Sequence, residues 1–85
     1  MLPYKIRFTK VAFKDTKRLT SPRKKKLKEI LQNRIAVDPY SGKKLTGDLS
    51  EFYSVRLSYS DRIIYSLDEE LHIVYIHRNG THYGE

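Results

Sequence analysis

Between Phe52 and His77 the chain carries three strand-like runs, joined by links too short for anything but hairpins. In the first, Tyr53, Val55, Leu57 and Tyr59 alternate with Ser54, Arg56 and Ser58, the period of a strand with one buried face. The second run, Arg62 to Asp68, is more continuously apolar through Ile63, Ile64 and Tyr65, and the third, Leu71 to His77, is similar. Near-continuous apolar runs of this kind are expected of strands covered on both faces. The connections at Ser60-Asp61 and at Asp68-Glu69-Glu70 make the three strands antiparallel neighbours. A sheet built this way must bury at least one face, so the upstream half of the chain has to supply the cover.

The upstream half has the pattern to do so. Tyr4, Ile6 and Phe8 alternate with Lys5 and Arg7, predicting a half-buried strand over Pro3 to Phe8. Thr9 is placed to cap a helix over about Lys10 to Leu19, with Ala12, Thr16 and Leu19 facing inward. Ser21-Pro22 then offers a capping hydroxyl followed by a proline at the first helical position, where its missing N–H costs nothing. The second helix is expected to run to about Ala36, with Leu27, Ile30, Leu31 and Ile35 toward the sheet. Asp38-Pro39 ends it. Tyr40 to Asp48 is expected to be a loop punctuated by Gly42 and Gly47. The order β-α-α-β-β-β describes an α+β domain: a helical layer on one antiparallel sheet. Of the aromatic residues, Phe8, Phe13 and Tyr65 are expected in the core or on strands.

At 85 residues, 1–85 form a single domain. With no cysteine there are neither disulfides nor cysteine metal sites. No apolar run approaches the roughly 20 residues of a membrane span. The N-terminus interleaves charge with apolar residues instead of forming a signal-peptide core, so a soluble cytoplasmic protein is expected, with no membrane partner. The formal charge of +7 and a pI near 9.7 favour a polyanion, chiefly nucleic acid, or an acidic protein.

If the polyanion is RNA, its cleavage requires that a 2′-hydroxyl lose a proton as it attacks phosphorus and that the 5′-oxygen gain one. Negative charge meanwhile grows on the phosphate oxygens. No metal or other cofactor is needed. Arg56, Arg62 and Arg78 are candidate phosphate clamps, because guanidinium is permanently charged and forks onto two oxygens. His82 can exchange a proton near neutral pH, and Tyr83 can stack on a base or donate a hydrogen bond. The ordinary roles of these groups compete: a strand arginine is usually a surface charge or an ion-pair partner, here of Asp61 or Asp68. His72 and His77 are expected as ordinary strand residues. The run Arg23, Lys24, Lys25 opens the second helix and is either a grip on RNA phosphates or a solvated face. Lys43 and Lys44 lead into the Arg56 strand and are placed to stabilise the phosphate or to act as a base. If Leu57 pairs with Ile63, Arg56 and Arg62 share a face; a one-residue slip separates them.

These residues, in this order, resemble a known family. KIRFTKVAFKDTKRL, the lysine-rich second helix, GKKLTGDLSEFYSVRLSYSDRIIYSLD and the closing THYG are similar to the Txe/YoeB branch of the RelE/ParE toxin superfamily. The likeness covers essentially the whole chain. It implies a RelE-like microbial RNase fold and the toxin of a type II toxin–antitoxin system. The implied activity is a ribosome-dependent mRNA interferase, a metal-independent endoribonuclease cutting in the A site. The implied partners are the ribosome, mRNA and an acidic, partly disordered antitoxin of the YefM/Phd type. By position, Arg62 matches the arginine that stabilises the transition-state phosphate, His82 the proton-transfer histidine, and Tyr83 the terminal tyrosine that positions substrate.

The chain departs from that family at two glutamates. Lys43 stands at the position of the proposed general base, and Ser60 near that of a second glutamate. Lys43, Lys44 and His82 remain as candidate bases, with Glu51 a poorer one. Two other functions share the fold: a ParE-like poison of DNA gyrase, and a basic nucleic-acid-binding module without activity.

Overall fold

The computed structural model describes residues 2–81. Strand β1 (Lys5–Phe8) leads into helix α1 (Lys10–Arg18) and helix α2 (Ser21–Ile30). Strands β2 (Lys43–Lys44), β3 (Tyr53–Arg56), β4 (Asp61–Asp68) and β5 (Ile73–Thr81) follow. All five form one sheet in the order β1-β5-β4-β3-β2.

Local chemistry explains most boundaries. Thr9 is extended, and its hydroxyl accepts the Ala12 N–H at 3.1 Å, capping α1 as the sequence predicts. Leu19 returns to extended geometry and closes the helix, with Lys17 and Arg18 in the last turn at the negative end of its dipole. The cap of α2 differs from expectation. Ser21 is already helical and Thr20 precedes it, with no side-chain cap bond; Pro22 occupies the first turn. After Ile30 the helix continues as one wide turn, Leu31–Ile35, closed by Ala36 N–H to Leu31 O at 2.8 Å. That turn keeps Leu31 and Ile35 on the inward side where a straight helix would begin to rotate them away.

The sheet is mixed, not wholly antiparallel. β1 runs parallel to β5, Lys5 opposite Ile73 through Phe8 opposite Ile76. The three later strands are antiparallel as predicted, and Lys43–Lys44, expected as loop, adds a short antiparallel fifth strand beside β3. Leu27, Leu31, Ile35 and Ala12 pack onto Val55, Leu57, Ile63, Tyr65, Val74 and Ile76, all buried. Each large side chain taken out of water there contributes about 1.5–3 kcal/mol. Tyr65 is the largest, and its hydroxyl donates to Pro39 O at 2.7 Å. Gly42 lies against that hydroxyl, and a Cβ there would also meet Val55 Cγ2 at 3.0 Å.

Helices cover one face only. Along β4, Asp61, Ile63 and Tyr65 are buried whereas Arg62, Ile64 and Ser66 alternate outward and are partly or fully exposed. The apolar runs therefore do not mark strands sandwiched between two layers; among the described residues no helix covers the second face. Phe8 and Phe13, expected in the core, are 39% and 56% exposed. Phe8 ends an edge strand, and Phe13 lies on the outer side of α1 with Lys17 Nζ 4.8 Å from its ring centre. His72 belongs to the β4–β5 turn with φ 58°, stacked on Tyr4. Among the described residues, no helix is long and apolar enough to cross a membrane.

Candidate active site on the open face of the sheet

The β3–β4 hairpin decides which polar groups meet. Ser58 and Asp61 close it: the Ser58 hydroxyl donates to Asp61 Oδ2 at 2.7 Å, and Leu57 N–H donates to Asp61 O at 2.9 Å. The register that follows pairs Val55 with Ile63 and Arg56 with Arg62. It is two residues away from a Leu57–Ile63 pairing, so side-chain parity is kept and both arginines lie on the open face. Because Leu57 N–H bonds Asp61 O, the adjacent Arg56–Arg62 rung is a non-hydrogen-bonded pair, in which Cα atoms approach to about 4.5 Å. Both side chains are exposed, and neither has a carboxylate partner among the described residues. Two like charges directly opposed on a sheet repel. An anion held between them removes that cost.

The next rung on the same face reads Lys43, Ser54, Ile64, Arg78 across four strands. Lys43 thus joins the arginine face, whereas Lys44, opposite Tyr53, falls on the other. The two candidate lysines are separated by the pleat. Arg78 is bound at the sheet margin: its Nε donates to Asp15 Oδ2 at 2.8 Å and Nη2 to Asp15 Oδ1 at 3.3 Å. A β-bulge between Ile64 and Tyr65 re-aims this part of β5.

Beside the arginine rung runs an apolar groove of about 330 Å³, lined by Leu45, Leu49, Phe52, Ile64, His77 and Arg78. Its outer wall is the loop after β2, closed by Leu45 N–H to Phe52 O and Phe52 N–H to Leu49 O, both 2.9 Å. Gly47 allows the loop's turn with φ 67°. His77 meets Phe52 edge to face at 5.0 Å between ring centres and shares a 2.7 Å hydrogen bond with Ser66 Oγ. Burial lowers the His77 pKa, while the charge of Glu51 pulls it the other way. The imidazole is therefore neutral near pH 7.

The remaining candidates lie elsewhere. Arg23 reaches over the helix-covered face to Asp61, Nη1 to Oδ2 at 3.0 Å. Lys24 and Lys25 are exposed on α2, and Lys24 borders a different groove with Ile6, Phe8 and Leu27. These three do not share the arginine face. His82 and Tyr83 lie outside the described residues. The sequence reading missed Asp15, a buried carboxylate that holds Arg78, and it expected Asp61 to pair with a strand arginine, whereas the buried Asp61 holds Arg23 of α2. For Asp61 a signal existed: it has the inward parity of Ile63 and Tyr65. It also missed Phe52 and His77 as walls of a groove.

The family described as ParE-like toxin of type II bacterial toxin–antitoxin systems matches residues 6–84. No curated protein matches the chain. Among solved structures, the chain is similar to the RelBE2 toxin–antitoxin complex from Mycobacterium tuberculosis, at 29% identity and TM-score 0.86 over 96% of this chain and 94% of that one. It is also similar to the YoeB dimer from Staphylococcus aureus, at 28% identity and TM-score 0.74 over 95% and 99%. The heterotetrameric YoeB–YefM toxin–antitoxin complex from the same organism matches at 27% identity and TM-score 0.74 over 94% and 98%. With a RelE/YoeB-type fold and a family match over nearly its whole length, the chain belongs to the ParE-like toxins of type II bacterial toxin–antitoxin systems.

Proposed function

We propose that the protein is a metal-independent endoribonuclease that cleaves mRNA in the ribosomal A site and is neutralised by a cognate antitoxin. The observation that carries this reading is the Arg56–Arg62 rung: two opposed guanidinium groups without carboxylate partners among the described residues, on the face of the sheet that the helices leave open. In the reaction the 2′-oxygen forms a bond to phosphorus and the P–O5′ bond breaks, leaving a 2′,3′-cyclic phosphate and a free 5′-hydroxyl. Arg56 and Arg62 hold the non-bridging oxygens as charge grows on them. Lys43, on the same face, is the better placed of the two lysines to add a third cation or to take the 2′-proton. His82 is assigned the protonation of the 5′-oxygen and Tyr83 the positioning of substrate, both on the family resemblance. Arg23, Lys24, Lys25 and Arg78 contribute to the positive field that draws RNA in, not to the reacting phosphate.

Cleavage mapped on translated mRNA, with and without ribosomes, tests the reading. Wild type is expected to cut in the A site, and Arg62→Ala or His82→Ala to lose roughly 10²-fold or more. Intact mRNA together with trapped gyrase–DNA complexes would instead establish a gyrase poison, the function that the ParE-like family name brings to mind. For the antitoxin, the toxin–antitoxin complexes of similar proteins support a partner of that kind, and the +7 charge suits an acidic one. Its affinity is expected to fall with salt.

A further inference from the structure

The groove beside the arginine rung has a composition that phosphate binding does not explain. Leu45, Leu49, Phe52 and Ile64 are apolar, and of the two remaining lining residues, Arg78 is tied to Asp15 at the sheet margin. His77, which completes the wall, has Nε2 engaged by Ser66. Its imidazole is neutral near pH 7 because burial lowers its pKa, so the wall carries no charge there. Ile64 follows Arg62 by two residues on the same face, a displacement of about 6.6–6.8 Å along the strand. That is the scale on which a base stands off from its own phosphate. Ser54, in the Ile64 rung, is 6% exposed, and its hydroxyl oxygen has no hydrogen-bond partner among the described residues.

We propose that this groove is a nucleobase subsite, in which the base flanking the cleaved phosphodiester stacks against the Phe52–His77 wall while Arg56 and Arg62 hold the phosphate. The occupant follows from the neighbouring charge: an apolar slot directly beside a pair of guanidiniums that meet no carboxylate among the described residues fits a ligand with an anionic backbone and a flat aromatic side group. Ring stacking tolerates different bases, so the subsite contributes affinity and placement, with preference set by how well a base overlaps the wall. Phe52 is the main stacking surface. The Leu45–Phe52 and Phe52–Leu49 backbone bonds hold it in place before RNA arrives, so little ordering is needed on binding.

This inference rests on the nuclease reading, and the test separates the two. Ribosome-bound mRNAs are prepared with either a normal nucleotide or an abasic one on each side of the cleaved bond. Wild type is expected to cleave about 10- to 100-fold more slowly when the base on one particular side is missing, and little differently when the other is. Phe52→Ala is expected to cleave the intact and abasic mRNAs at one common, slow rate, and Phe52→Tyr to restore the difference. Phe52→Leu keeps the apolar volume without the ring. It is expected to behave like Phe52→Ala, and it serves if the alanine variant fails to fold. Equal cleavage of intact and abasic mRNA by wild type overturns the subsite and leaves the nuclease standing. So does a base dependence that survives in folded Phe52→Leu. Groove variants that weaken only antitoxin neutralisation assign the slot to a protein segment and also overturn it. If wild type cleaves no mRNA at all, the nuclease reading falls, and the subsite with it.

Discussion

Replacing Arg62 by Gln should stabilise the fold while disabling the site. Arg56 and Arg62 face one another across a non-hydrogen-bonded rung, both exposed and neither paired with a carboxylate among the described residues. At the roughly 5 Å Cβ spacing typical of directly opposed residues, two unit charges in a water-like dielectric repel by about 0.8 kcal/mol. That agrees with the roughly 0.2–1 kcal/mol typical of cross-strand pairs. In a domain of this size it corresponds to a rise in Tm of about 3–6 °C. The +7 chain gains something from losing any positive charge, so single variants do not isolate the pair. A double-mutant cycle does. Arg56→Gln and Arg62→Gln should each stabilise, and the double variant should gain less than their sum by the pair energy. The assay is urea unfolding at about 20 mM and 1 M NaCl. At 1 M the Debye length falls to about 3 Å and the coupling should vanish. Inorganic phosphate should raise the Tm of wild type more than that of either variant, because only the intact pair has repulsion for an anion to relieve. Zero coupling at low salt, or coupling that persists unchanged at 1 M, would refute the reasoning.

Three further outcomes follow from the packing. Tyr65→Phe leaves the Pro39 carbonyl without its buried donor and should cost about 1–2 kcal/mol in chemical denaturation, with the RNA cleavage proposed for the far face little affected. Arg23→Ala strips the fully buried Asp61 of its cation; because Arg23 is itself partly exposed, the loss should be about 1–3 kcal/mol, against a few tenths for Lys25→Ala. His77 should make stability depend on pH. Burial among Phe52 and Ser66, only partly offset by Glu51, holds its folded pKa below the ordinary 6.5. The unfolded chain then takes up the proton first, so stability is full above about pH 6.5 and falls as pH drops toward the folded pKa. His77→Gln should flatten that part of the curve, as followed by thermal melts between pH 5 and 8.

Patterns that act over a few residues were legible. The Thr9 cap, the proline in the first turn of α2, the inward Leu27, Leu31 and Ile35, and the three antiparallel strands all follow from spacing that neighbouring residues enforce. Three misreadings share a different cause. The apolar runs in β4 and β5 suggested cover on both faces, yet only one is covered, because two helices of this length furnish a single layer. The alternation in β1 says that it is a strand but not which strand it joins; its parallel pairing with β5 closes a loop of most of the chain. Phe8 and Phe13 are apolar enough for a core, but their places at a strand end and on the outer side of α1 leave them half in water.

For the site, the amino-acid sequence by itself determined the cast: arginines at alternating strand positions, a lysine pair ahead of β3, a large positive charge and a family resemblance. Only the tertiary structure decided who meets whom. The Ser58–Asp61 turn sets the hairpin register, and through it Arg56 comes to oppose Arg62, Lys43 joins them and Lys44 does not. Buried Asp15 and Asp61 draw Arg78 and Arg23 into ion pairs. The physical reason is that a pleat has period two. A single residue of register moves a charge from one face of the sheet to the other, and the alternation of residues along a strand does not say which turn will close the hairpin.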